Sequence, residues 1–217
     1  MKKQLLILFI FTQSLTVFAQ VTIQSTPLDL NQLPKALKYE GTVKAAIRFS
    51  DKTGDNIVII TETGSYTNAK FKHENEGNDA ELFAYQFSIK NDSIKQLWKV
   101  YDYISDCPFD IEASFIKNTL QITDLNKDGM AEVWLLYLVA CRSDVSPADM
   151  KIIMYQAQQK YAMRGKNKVE VTTDDKGNKQ YTGGEYKFDP AFKSAPKEFS
   201  VFAEQLWKNN VMQLGAE

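Results

Sequence analysis

One loop and the strand that follows it constrain this chain more than any other stretch. Asp124-Leu-Asn126-Lys-Asp128-Gly129-Met130-Ala-Glu132 sets oxygen side chains at positions one, three, five and nine, with glycine at six. That spacing lets one tight turn aim several hard oxygens at a single point, with the Met130 carbonyl as a further ligand. Oxygen donors of this kind favour calcium over zinc or copper, which prefer nitrogen and sulfur. Immediately afterwards, Val133-Trp-Leu-Leu-Tyr-Leu-Val-Ala140 is apolar at every position. A strand of that composition belongs in the middle of a sheet covered on both faces.

The loop resembles an EF-hand in its first half, but position twelve is Leu135 where a bidentate glutamate belongs, and the next residues are too apolar and β-prone for an exiting helix. A dockerin loop also wants an acid at twelve. The spacing is closer to the calcium loops of integrin-type FG-GAP repeats, where D-x-[DN]-x-D-G-x-x-[DE] leads into a buried strand. The resemblance covers about a dozen residues and implies a local structure, with no activity attached. The competing reading is an Asp/Asn/Gly turn that holds no metal.

Residues 1–19 read as a secretory leader. Lys2 and Lys3 precede the apolar run Leu5 to Phe11, and Val17 and Ala19 occupy the small-residue positions before a cut at Gln20. That run is too short and too interrupted to span a bilayer, and no later segment reaches spanning length. No cysteine follows the cut to carry a lipid anchor. An exported chain, periplasmic or at the cell surface, is expected. The whole sequence has 26 Lys and Arg against 27 Asp and Glu, and losing Lys2 and Lys3 makes it more acidic. That balance offers no field for nucleic acid or an anionic membrane. Cys107 and Cys141 are the two cysteines, which in an oxidising compartment suggests a bridge; two buried thiols are the alternative.

Alternating and apolar runs predict a mainly β (α+β) fold in one domain over residues 20–217. It would be built of antiparallel, propeller-like or sandwich sheets with a C-terminal amphipathic helix. Residues 20–40 look irregular, with a helical turn near Leu33–Leu37. Val43, Ala45, Ile47 and Phe49 alternate with Lys44 and Arg48, Ile57–Ile60 reads as buried, and residues 63–80 form a polar loop. Strands follow at Leu82–Ile89 (Phe83, Tyr85, Phe87 and Ile89 aligned) and Leu97–Ile104, with a turn at Asn91-Asp92-Ser93. Ile111–Ile116 and Leu120–Thr123 look like strands joined across Asn118-Thr119. Further strands are expected at Ile152–Gln156 and Tyr161–Gly165, and Val169–Thr172 pairs with Lys179–Thr182. Phe199, Phe202, Ala203, Leu206 and Trp207 form one helical stripe between about Pro196 and Val211. Asp51…Gly54-x-Asn56 before Ile57 echoes Asp128-Gly129-x-x-Glu132 before Val133, a weak duplication of residues 41–104 in residues 109–165.

Catalytic signatures are sparse. His73, the sole histidine, sits among Glu74, Glu76, Asp79 and Glu81 without a zinc-type spacing and reads as part of a solvated loop. No G-x-S-x-G occurs, and Gly183-Gly184 reads as a turn. Asp102, Asp106, Asp110 and Glu112 are the best carboxylates for glycan hydrolysis, against a reading as solvent-facing strand positions. Trp98, Tyr101 and Tyr103 share a strand whose outward face could stack on sugar rings. Phe18-Ala19-Gln20, the run Ile122–Trp134 and Lys160-Tyr-Ala-Met-Arg-Gly165 resemble a family of exported Bacteroidota proteins associated with surface-polysaccharide biosynthesis. That resemblance implies a cell-envelope role with a glycan or envelope protein as partner, and names no catalytic residue. The leading expectation is a calcium-stabilised binding or assembly module, and the alternative is an envelope glycan hydrolase.

Overall fold

The computed structural model describes residues 23–212 apart from Asp92. The predicted leader lies outside the described residues, as does the centre of the Asn91–Ser93 turn. The fold is mainly β, with three antiparallel sheets and one C-terminal helix. The first sheet contains β1 (Gln24–Pro27), β2 (Thr42–Asp51), β3 (Gly54–Glu62), β4 (Asn78–Lys90) and β5 (Ser93–Cys107), paired in sequence order. The second contains β6 (Asp110–Phe115), β7 (Gln121–Thr123), β8 (Glu132–Arg142), β9 (Asp149–Gln156), β10 (Gln159–Lys166) and β13 (Tyr186–Phe188). Its order is β13-β10-β9-β8-β6, with β7 also on β8. A separate hairpin joins β11 (Lys168–Thr173) to β12 (Lys179–Gly183).

The two large sheets pack face to face as a sandwich. Phe49, Val58, Ile60, Leu82 and Val100 from the first meet Phe115, Val133, Leu135, Tyr137 and Ile153 from the second in one core. The other face of the second sheet carries Trp134, Leu136, Leu138, Met150 and Ile152, and helix α1 (Lys197–Asn210) lays Phe199, Ala203, Leu206 and Trp207 on it. Leu28, Leu33 and Leu37 cover part of the outer face of the first sheet, over Ile57, Ile59, Tyr85 and Phe87. Strands β3 and β8 are therefore apolar on both faces because each has a packed layer above and below it. Cys107 at the end of β5 is bonded to Cys141 on β8, which staples one sheet to the other.

Local details depart from simple alternation. A bulge between Val43 and Ala45 changes the phase of β2, so Val43 joins the outer cluster while Ala45 and Phe49 face the inter-sheet core. Strands β6 and β7 do not form a hairpin across Asn118-Thr119. They lie in line along β8, β6 on Tyr137–Arg142 and β7 on Glu132–Trp134. A 3-10 turn at Leu30–Gln32, capped by the Asp29 side chain, precedes the turn expected near Leu33–Leu37, which is a single hydrogen-bonded turn closed by the Leu37 N–H on the Pro34 carbonyl (3.0 Å). Strands β1, within the stretch expected to be irregular, and β13 are not predicted by the residue pattern; the remaining strands and the β11–β12 pair fall where that pattern puts them.

Candidate functional site

The loop between β7 and β8 is wound by its own acids. Gly129 N–H donates to Asp124 Oδ2 (3.2 Å), Asp128 N–H to Asn126 Oδ1 (3.3 Å) and Met130 N–H to Asp128 Oδ1 (2.8 Å). Lys127 and Gly129 adopt φ of 59° and 78°, which explains glycine at the sixth position. Asn126 Nδ2 donates to Asp128 Oδ2 (3.0 Å), and Gln156 on β9 reaches both Asp128 (3.1 Å) and Glu132 (3.4 Å). Asp124, Asn126, Asp128, Met130 and Glu132 thus share one hydrogen-bonded loop.

Two features of this loop are costly as they stand. Glu132 is fully buried; burial pushes its carboxyl above the ordinary value and the charges of Asp124 and Asp128 push the same way, against hydrogen bonds from Thr123 and the Leu125 N–H. Asp124 Oδ1 is buried and has no hydrogen-bond partner. A carboxylate oxygen in that state loses its hydration without compensation. The oxygens at hand suit a hard divalent cation. Among the described residues no three acidic, histidine or cysteine side chains form a metal-holding group, so a cation here would draw on Asn126 and main-chain carbonyls as well as the acids.

The β2–β3 turn, whose sequence echoes this loop, lies against it. Ala131 N–H donates to Asp51 Oδ2 (3.0 Å), Lys52 N–H to the Gly129 carbonyl (2.9 Å) and Lys52 Nζ to the Asp128 carbonyl (3.2 Å). The loop therefore ties the two sheets together, as the disulfide does elsewhere. Asp51, Lys52 and Gln156 are partners that spacing within the loop could not reveal; the echo between the two turns was the available signal.

Of the four carboxylates considered for hydrolysis, Asp102, Asp106 and Glu112 are each committed to a different partner. Asp102 holds Lys151 (2.6 Å) and the Tyr137 hydroxyl (3.1 Å), while Glu112 holds Arg142 (3.0 Å). Asp106 accepts main-chain N–H groups from Glu74, Asn75 and Gly77, and Asp110 is exposed. His73 is not simply solvated: its Nε2 lies 2.9 Å and 3.0 Å from the oxygens of buried Asp79.

A second surface was only half legible. Trp98 points inward, stacked on Tyr155 at 4.4 Å with its N–H on Gln86, because residues 98 and 101 have opposite parity on the strand. Tyr101 and Tyr103 point outward and are 42% and 45% exposed. Their rings continue a stacked row, Phe83–Tyr101 (5.1 Å), Tyr101–Tyr103 (5.4 Å) and Tyr103–Phe71 (5.0 Å). Buried Glu81 accepts the Tyr101 hydroxyl (2.7 Å) and pairs with Lys70. Comparison with family models, curated proteins and solved structures finds no match to the chain. Among the described residues no helix is long and apolar enough to cross a membrane, and the disulfide is consistent with an extracytoplasmic location.

Proposed function

We propose that this is an exported, calcium-stabilised β-sandwich serving the cell envelope, in the periplasm or at the surface, as a binding or assembly module with a glycan as partner. The observation that carries the binding role is the row of stacked rings at Phe71, Tyr103, Tyr101 and Phe83. Tyr101 and Tyr103 are the exposed members of this row, fixed by stacking on Phe83 and Phe71 and by the Tyr101–Glu81 hydrogen bond, with Lys70 and Lys99 over rings of the row. Such preorganised aromatic and cationic groups suit a flat, hydroxyl-bearing partner such as a pyranose ring. Calcium enters through the loop, where it would neutralise Asp124, Asp128 and Glu132 and partner the orphaned Asp124 oxygen. The hydrolase reading is weaker, because Asp102, Asp106 and Glu112 are each held by separate partners.

The test is affinity electrophoresis of the protein through gels containing neutral or acidic surface polysaccharides. Retardation by at least one of them, reduced about tenfold in affinity by Tyr101→Ala with Tyr103→Ala, is the expected result; tenfold corresponds to about 1.4 kcal/mol. Equal retardation of the native protein and the folded double variant contradicts the assignment of the row as the binding face.

A further inference from the structure

A cavity of about 460 Å³ opens between the two sheets, beside β2 and the break between β6 and β7. Its walls include Ala45, Ile47, Ile60, Phe115, Ile116 and Leu120. Two causes leave the space unfilled. Ala45, next to the bulge in β2, puts a single methyl on this face, and the bulge turns Val43 away to the other side of the sheet. Opposite, residues 116–120 leave the sheet between β6 and β7. Walls of this kind offer water few of the polar partners that hold it in place, whereas a volume of this size lies within the usual range for small-molecule sites.

The polar groups among the lining residues include three charged side chains, Lys44, Glu62 and Lys117. Glu62 is buried; it accepts the Phe115 N–H (2.7 Å) and pairs with Lys44 (3.3 Å). Lys44 is thereby neutralised and Glu62 is used to hold the sheets together. Lys117 is exposed and forms no salt bridge among the described residues. The site therefore combines apolar walls with one uncompensated positive charge.

From that combination we infer a binding site for a single fatty-acyl chain with an anionic head: the chain fills the cavity between the sheets and the head meets Lys117. An acyl chain gains by leaving water for these walls, and a carboxylate or phosphate gains from the lysine while staying hydrated on its other side. A peptide would bring backbone groups that this lining cannot satisfy. The inference stands on the cavity alone and is independent of the glycan reading.

The experiment is isothermal titration of the protein with octanoate, decanoate, dodecanoate and tetradecanoate below their micellar concentrations, with dodecanol as the uncharged control. We expect one saturable site, affinity rising roughly fourfold per methylene until the cavity is full, and weaker binding of dodecanol. Lys117→Glu should weaken dodecanoate about tenfold, with the loss shrinking as salt rises. Ala45→Phe should abolish binding by filling the space; if that variant does not fold, Lys117→Glu at the exposed rim decides. Absence of saturable binding, or binding indifferent to both chain length and Lys117→Glu, overturns the proposal.

Discussion

Asp106 shows how a single carboxylate can organise a long loop. It has a positive φ of 51° and accepts the N–H groups of Glu74 (2.8 Å), Asn75 (3.0 Å) and Gly77 (2.9 Å). Its own N–H donates to Asp79 (3.0 Å), which is also bonded to His73 and the Asn68 N–H. Burial opposes ionisation of Asp106, but these N–H donors outweigh it and lower its pKa to about 2. Asp79 is lowered in the same way: burial works against it, and the N–H groups of Asp106 and Asn68, then His73, prevail. Both carboxyls bind protons less readily in the folded than in the unfolded chain. Their stabilisation is complete above the unfolded value near 3.8 and is lost as pH falls through the lowered folded values, about 2 for Asp106. Acid unfolding followed by circular dichroism should be steep in that window and flatter in Asp106→Ala, with a lower melting temperature at neutral pH. An unchanged pH profile in the variant would contradict the clamp. The His73–Asp79 neighbourhood was visible in the sequence, but the part played by Asp106 was not: it lies 33 residues beyond His73, and the pairing of β4 with β5 brings the two together.

At the scale of elements, the disulfide carries a definite expectation. Cys107 and Cys141 close a separation of 34 residues and connect β5 to β8 across the sandwich. The chain-entropy model assigns a loop of that length about 4 kcal/mol. Denaturant titration of the Cys107→Ser, Cys141→Ser double variant should lose about that amount, and a loss below about 1 kcal/mol would show that the reduced chain is equally constrained. The elements themselves were largely readable because their signals are local. Apolar runs at Ile57–Ile60 and Val133–Ala140 give strands buried on both faces, and the stripe through Phe199 and Trp207 gives the covering helix. What alternation could not show were the bulge that turns Val43 away from Ala45 and the in-line placement of β6 and β7. Strand β13, only three residues long, lacks enough pattern to be read; it exists because β10 offers it an edge.

Across the whole molecule, the two halves of the chain form the two sheets, and the loop at Asp124–Glu132 is one of the places where they are fastened. Asp51 and Lys52 from the first half grip its backbone, while Gln156 holds its acids from β9. A cation bound among Asp124, Asn126, Asp128 and Glu132 would therefore stabilise the sheet-to-sheet junction as well as the turn. The acids and the glycine of this loop were visible in the sequence because they are close together along the chain. The buried, unpartnered state of Asp124 Oδ1 and the full burial of Glu132 depend on layers contributed by distant residues. Thermal unfolding with excess chelator and with rising free calcium, disulfide intact, is the most direct measurement. At a hundredfold excess over its dissociation constant calcium should add about 2.7 kcal/mol, or roughly 5–10 °C for a chain of this size, and Asp124→Ala should remove the shift. A melting temperature indifferent to calcium in the native protein would contradict the account and leave the loop as a turn held by its own hydrogen bonds.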